Sequence, residues 1–232
     1  MRTPMPDTDV TPIPQWGDSR RCRIGLLGGS FNPGHVWHRA LAYRALVELQ
    51  LDQVWLMVSP GNPLKAGRDM APFAQRLATA RQLADGRRVV ATDIEARIGT
   101  RYTVDTLRIL KNRFPRARFV WLTGADGFAA LSLWKGWRRL VHCVPIAVFP
   151  RPGVNARALR GAAGAYMARW RVPACQAGRL ASLSPPAWAF LPGVQNSISA
   201  TQIRQQGGFR IPADQSTPPD SPETRRTTGE PS

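Results

Sequence analysis

The sequence predicts an α/β fold built on a doubly wound parallel sheet, and two observations carry that prediction. Short apolar runs bounded by turn residues recur along the chain, and segments with apolar residues at helical spacing fill the intervals between them. Continuous apolar runs mark strands buried on both faces. Alternation of strand and helix places helices on both sides of a parallel sheet. The expected architecture is a single Rossmann-like domain whose ligands bind at the carboxyl ends of the strands.

Taken in order, the strands are CRIGLLG (22–28), QVWLMVS (53–59), RVVATDI (88–94), RFVWLTG (118–124) and PIAVFP (145–150), with AWAFLPG (187–193) as a further candidate. The helices between them are HVWHRALAYRALVELQ, APFAQRLATARQLA and TVDTLRILKNRF. There is no internal repeat. Residues 1–20 carry acids and prolines where an export signal would carry an apolar core, and they read as a disordered leader. Residues 207–232 are rich in Pro, Ser, Thr and Gly with little to bury, and read as a disordered tail. The domain expected between them spans 21–206.

A chain of 232 residues is long enough for one substantial core. No apolar run approaches the roughly 18 to 20 residues of a membrane helix. Cys22, Cys143 and Cys175 stand far apart with no CxxC pair. They fit a reducing cytoplasm and argue against a disulfide framework or a zinc site. The net charge is +17, and 29 of the 32 basic residues are arginine. That balance suits polyanions, whether nucleic acid or phosphate-rich small substrates. The arginines are scattered rather than interleaved with aromatics in one block, so no nucleic-acid partner is expected. A general arginine preference of the source proteome accounts for the charge equally well.

The densest chemistry follows the first strand. Gly28-Gly29-Ser30-Phe31-Asn32-Pro33 leads into His35 and His38, two of the three histidines in the chain. Glycines allow close approach that a β-carbon would block, and Pro33 suits a helix entry. A helix beginning near Gly34 would aim free N–H groups and its positive dipole end at the strand edge, where phosphate binds. His35 and His38, three apart, would share one helix face. From reference pKa values near 6.5, a bound polyanion would hold both protonated.

Near the far end stands Asn196-Ser197-Ile198-Ser199-Ala200-Thr201-Gln202-Ile203-Arg204. Ser199 is a good N-cap, and Thr201 and Arg204 lie on one face of the helix it would start. Hydroxyls beside a guanidinium suit a triphosphate, because arginine gives parallel hydrogen bonds. By itself the pattern also fits a capped, solvated helix. In the middle, Thr123-Gly124-Ala125-Asp126 follows an apolar strand. Its carboxylate could accept bonds from a vicinal diol, or simply cap the next helix.

The order strand, GGSFNP, then His-x-x-His resembles the GG(T/S)F(D/N)PxHxGH signature of the nucleotidyltransferase superfamily, whose members join a nucleotidyl group to a phosphate. ISATQIR resembles the ISxTxIR motif that accompanies it. Within the superfamily, residues 22 to 204 resemble the nicotinate-nucleotide adenylyltransferase family of bacterial NAD synthesis. The resemblance implies ATP binding by Gly28, Gly29, Ser30, Phe31, His35, His38, Gly124, Asp126, Ile198, Ser199, Thr201 and Arg204. It implies that Trp134 stacks on the pyridine ring and Thr103 meets the nicotinate carboxylate. Asn62, Lys65 and Arg151 would hold the mononucleotide phosphate.

The implied reaction joins the AMP moiety of ATP to nicotinate mononucleotide, with His35, His38 and Arg204 as the catalytic cations and Mg²⁺ carried on ATP. No carboxylate cluster suggests a protein-bound metal. Nicotinamide mononucleotide or phosphopantetheine is the alternative acceptor, and a catalytically weak nucleotide-binding relative is the alternative role. Two departures stand out. Trp37 occupies the glycine position of HxGH, where an indole is expected to obstruct or shift the adenine. After ISATQIR the chain also passes into GGFRIPADQ, where the family continues into another helical segment. The sequence is silent on oligomeric state.

Overall fold

The computed structural model describes residues 13–61, 70–194 and 200–205. A seven-stranded sheet runs through the middle. Its strands are β1 (Arg23–Gly29), β2 (Gln53–Val58), β3 (Val89–Thr92), β4 (Arg118–Gly124), β5 (Ile146–Phe149), β6 (Arg171–Val172) and β7 (Trp188–Phe190). Their order across the sheet is β3-β2-β1-β4-β5-β7-β6, and every neighbouring pair is parallel. The order reverses direction at β1, between β1 and β4. In open parallel sheets, ligands bind at such a switch point, beyond the carboxyl ends of the two strands.

The helices are α1 (Val36–Glu48), α2 (Phe73–Leu83), α3 (Ile94–Arg97), α4 (Thr103–Arg113), α5 (Ala125–Ala129), α6 (Trp137–Val141), α7 (Asn155–Arg160), α8 (Ala162–Met167) and α9 (Ala200–Gln205). Alternation along the strands sorts side chains into two cores. Ile24, Leu26, Trp55, Met57, Phe119 and Trp121 face one way, with Leu107, Phe114, Phe128 and Met167 packed over them. Leu27, Val54, Leu56, Val120 and Leu122 face the other way, under Leu41, Leu46, Leu77 and Leu180. The sheet is wound on both sides, as the alternating pattern requires.

β4 spans the seven residues expected of it, and the other expected strands are present with ends shifted by a residue or two. The segment around 188 contributes only three residues. β6 was not expected, because two residues make no apolar run. Residues 13–20, assigned by composition to a disordered leader, instead lie on the body. Ile13 is only 1% exposed, Gln15 donates to the carbonyl of Arg97 (2.7 Å), and Arg113 donates to the carbonyl of Gln15 (2.7 Å). A single isoleucine anchors that strap, and one residue gives no periodicity to read. The expected leader before Ile13 and the tail at 207–232 lie outside the described residues. No helix among the described residues is long and apolar enough to cross a membrane.

Candidate active site

The loop after β1 is tied down from several sides. Phe31 has a positive φ of 48° and a buried ring. Its carbonyl accepts from the Thr79 hydroxyl (3.2 Å), which in turn accepts from the Gly34 amide (3.0 Å). Asn32 is 4% exposed, and its side-chain oxygen accepts the Ala71 amide (3.1 Å). Pro33 follows a cis peptide and stays in the loop, so it does not open the helix as expected. A β-carbon at Gly34 would lie 2.9 Å from Leu83 and 3.1 Å from the Thr79 carbonyl, which is why glycine stands there.

α1 starts at Val36, and His35 is its N-cap with extended backbone (φ −142°, ψ 165°). The two imidazoles still meet, with ring centroids 4.0 Å apart, and Phe31 lies 4.8 Å from His38. The His35 amide donates to Nδ1 of His38 at 3.3 Å. Neutral His38 therefore carries its proton on Nε2 and presents that atom as a donor. His35 is 6% exposed, and its buried Nδ1 has no hydrogen-bond partner among the described residues. Burial, reinforced by the positive charge of Arg151, pushes its pKa down to about 4. The reference value that favoured a protonated pair does not hold for it. Without a ligand, His35 is neutral at neutral pH.

The far motif reaches this loop. Arg204, on α9, donates through Nη1 to the main-chain carbonyl of Asn32, and its Nη2 lies 3.4 Å from the Thr201 hydroxyl. Residues 28–38 and 201–204 are thus brought together. Arg151, following β5, stands 3.6 Å from the Asp126 carboxylate and close enough to His35 to depress its pKa. Asp126 does not cap α5. Gly124 is the N-cap, and Asp126 sits inside the first turn with its side chain 59% exposed. A β-carbon on Gly124 would lie 2.3 Å from that carboxylate, so the glycine makes room for it.

A second group of residues is joined to the first by Trp121, which sequence reasoning did not single out. Its indole covers Gly28, where an added β-carbon would lie 2.4 Å from the ring. Gly28 therefore serves the packing of an aromatic ring, rather than only a phosphate approach. The same indole meets Trp134 edge-on at 6.1 Å. Thr103 opens α4 directly after Tyr102, and Nζ of Lys135 lies 4.4 Å from the centre of the Tyr102 ring. Trp134 and Thr103 are thus brought together through their chain neighbours. Beneath α4, Glu95 is buried and accepts the Thr106 hydroxyl (3.0 Å), which also contacts the Thr100 hydroxyl (2.8 Å). Burial raises the Glu95 pKa to about 7.

Asn62, Lys65, Ile198 and Ser199 lie outside the described residues. Trp37 is 8% exposed, so most of the indole surface lies against protein instead of standing open over the histidines. Among the described residues, no three His, Cys, Asp or Glu side chains gather to hold a metal ion. A surface depression of about 360 Å³ lined by Arg171, Pro173, Ala174, Phe190 and Pro192 contains none of the motif residues. The arrangement that remains gathers two imidazoles, guanidinium groups and a helix N-terminus at one end. Its other end holds a tryptophan and a second helix start. Such a set can bind phosphates and a flat ring together.

Residues 26–206 match the model of the cytidylyltransferase-like family. A probable nicotinate-nucleotide adenylyltransferase of Gluconacetobacter diazotrophicus is 62% identical over 84% of this chain and 91% of its own length. One from Gluconobacter oxydans is 61% identical over 83% of this chain and 99% of its own length. Among solved structures, a Plasmodium falciparum nicotinic acid mononucleotide adenylyltransferase complexed with NaAD shares the fold, with a TM-score of 0.60 at 16% identity. That match covers 79% of this chain and 82% of the other.

Proposed function

Because the chain belongs to the nicotinate-nucleotide adenylyltransferases, within the cytidylyltransferase-like family, we propose that it joins the AMP moiety of ATP to nicotinate mononucleotide. The products are deamido-NAD and pyrophosphate. The observation that supports this most is the meeting of the two motifs, Arg204 on the Asn32 carbonyl beside His35 and His38.

The attacking group is a phosphate oxygen of the mononucleotide, already ionised at neutral pH, so the reaction needs no protein nucleophile or general base. The oxygen bonds to the α-phosphorus of ATP as the bond to pyrophosphate breaks. Acceleration then rests on aligning attacker, phosphorus and leaving group, and on donors placed where charge develops. His38 donates from Nε2. His35 is neutral before binding, and it donates a hydrogen bond or takes up a proton as phosphate arrives. Arg204 and the α1 N-terminus complete the set.

On this reading Gly28, Gly29, Ser30 and Phe31 line the nucleotide crevice, and Asp126 accepts from the ribose hydroxyls. Arg151, with Asn62 and Lys65, holds the acceptor phosphate. Trp134 stacks on the electron-poor pyridinium, and Thr103 with the amides at the α4 start meets its carboxylate. The ATP phosphates would carry Mg²⁺, whose hard-cation chemistry would neutralise charge developing on them. A cytoplasmic location belongs to the same reading, as does the absence of a nucleic-acid partner.

The test is pyrophosphate release by the purified full-length protein with Mg²⁺ and ATP. Nicotinate mononucleotide should turn over faster than nicotinamide mononucleotide. Equal or better use of the amide would move the acceptor to the alternative class, and no turnover with either would overturn the reading.

A further inference from the structure

Arg76, in the first turn of α2, is 1% exposed, and it takes part in none of the ion pairs among the described residues. Among the described residues its hydrogen bonds all go to main-chain carbonyls, and the guanidinium also lies over the Phe73 ring, 5.3 Å from its centre. Nε donates to Ala71 (3.0 Å), Nη1 to Ser30 (2.8 Å) and Ser59 (2.7 Å), and Nη2 to Pro60 (3.0 Å). Those carbonyls belong to the loop after β1, the loop after β2 and the entry to α2. A buried guanidinium held by carbonyl oxygens and an aromatic face, with no carboxylate among the described residues, carries a large desolvation cost. A fold tolerates that where geometry demands the five-donor planar fork.

We propose that Arg76 is a positioning residue of the nucleotide site, the common anchor that sets the loops after β1 and β2 in register. The proposal rests on the nucleotide-binding reading above. In a planar trans peptide the C=O and the N–H that follows it point in opposite directions. With the Ser30 and Pro60 carbonyls turned toward Arg76, the amides of Phe31 and Gly61 point away from it. Both amides sit beyond the carboxyl ends of β1 and β2, where the parallel sheet receives phosphate. One side chain thus aims amides on two loops at once. Ser30 and Ser59 share a single nitrogen, so the two loops cannot move independently while it holds them.

The test compares equilibrium binding of ATP with Mg²⁺, and of nicotinate mononucleotide, to the full-length protein and to Arg76→Lys and Arg76→Ala. Lysine keeps the charge but offers a compact cation that cannot span four carbonyls. A cooperatively folding Arg76→Lys protein should bind both ligands about tenfold more weakly or worse, the loss of one or two hydrogen bonds. Millimolar guanidinium chloride should restore binding to Arg76→Ala, whereas sodium chloride at the same ionic strength should not. Wild-type affinity in folded Arg76→Lys overturns the proposal. So does failure of both variants to fold, which would make the role one of stability alone. Wild-type protein that binds both nucleotides without turning them over would count against the proposed reaction and leave Arg76 to be judged by the binding data.

Discussion

The guanidinium of Arg204 donates to the main-chain carbonyl of Asn32, a residue 172 positions earlier in the chain. Asn32 is itself buried, with its side-chain oxygen on the Ala71 amide. Helix α9 is thereby attached to a loop tied down from several sides, next to the histidine pair. On the proposed reading, Arg204 is held in place before a phosphate arrives, which would limit the reorganisation left for the reaction itself.

Arg204→Ala should lower kcat/KM by about 10²- to 10³-fold, the range for removing one preorganised donor. Arg204→Lys should recover only part of this, because a lysine cannot serve the carbonyl and a ligand with one planar fork. Steady-state pyrophosphate release is the measurement. A loss below about fivefold in the alanine variant would remove Arg204 from the transition-state set.

Gly28→Ala places a methyl group 2.4 Å from the Trp121 ring. The expected destabilisation is about 1 to 3 kcal/mol, with a change in tryptophan fluorescence as Trp121 shifts against Trp134. Trp121→Phe removes the six-membered ring of the indole that causes the clash. The double variant should therefore regain stability relative to Gly28→Ala alone, in urea unfolding. Strict additivity of the two substitutions would show that they do not interact.

Two buried groups give opposite pH dependences. His35, pushed down to about 4, contributes stability that is full above its unfolded pKa near 6.5 and is lost as pH falls through 4. Glu95, pushed up to about 7, contributes stability that is full below its unfolded pKa and is lost as pH rises through 7. Each limb is worth roughly 3 kcal/mol at most. Glu95→Gln keeps an acceptor for Thr106 and removes the alkaline limb. It should equal the parent near pH 4 and exceed it in stability near pH 8, when urea unfolding is followed across that range. Parallel curves would contradict the assignment.

Trp37→Gly restores the residue usual in the family and should nonetheless harm this protein. Truncating a buried tryptophan costs about 3 to 5 kcal/mol, and glycine in the first helical turn adds to that. The variant should unfold at lower urea concentration, with no gain in affinity for ATP. A lower KM for ATP at unchanged stability would restore the view of the indole as an obstruction.

Several parts of this molecule were legible from residue order. RFVWLTG became β4 without change, because a seven-residue apolar run bounded by turn-formers fits little else. The glycine–histidine and ISATQIR segments were legible as dense local chemistry, and the structure brings Arg204 of the second onto the Asn32 carbonyl of the first. Trp121 and Arg76 were not. An indole in a strand reads as core, and an arginine in a helix reads as solvated surface. Only the packing shows that the first covers Gly28 and that the second holds the carbonyls of three segments. The alternative reading of Asp126 as the cap of the next helix falls away because the helix starts two residues earlier, after Gly124, and such a displacement leaves no trace in periodicity.

By itself the sequence determined the parallel α/β architecture, the two motifs and the residue types available for phosphate, since these follow from local composition and periods of two and 3.6. Tertiary structure alone decided that His35 is neutral, that Trp37 is packed away, and that Arg204 reaches Asn32. Each of these depends on burial or on contact between distant segments. Desolvation and non-local hydrogen bonds arise only when the chain has closed on itself, so no stretch of residues read in order contains them.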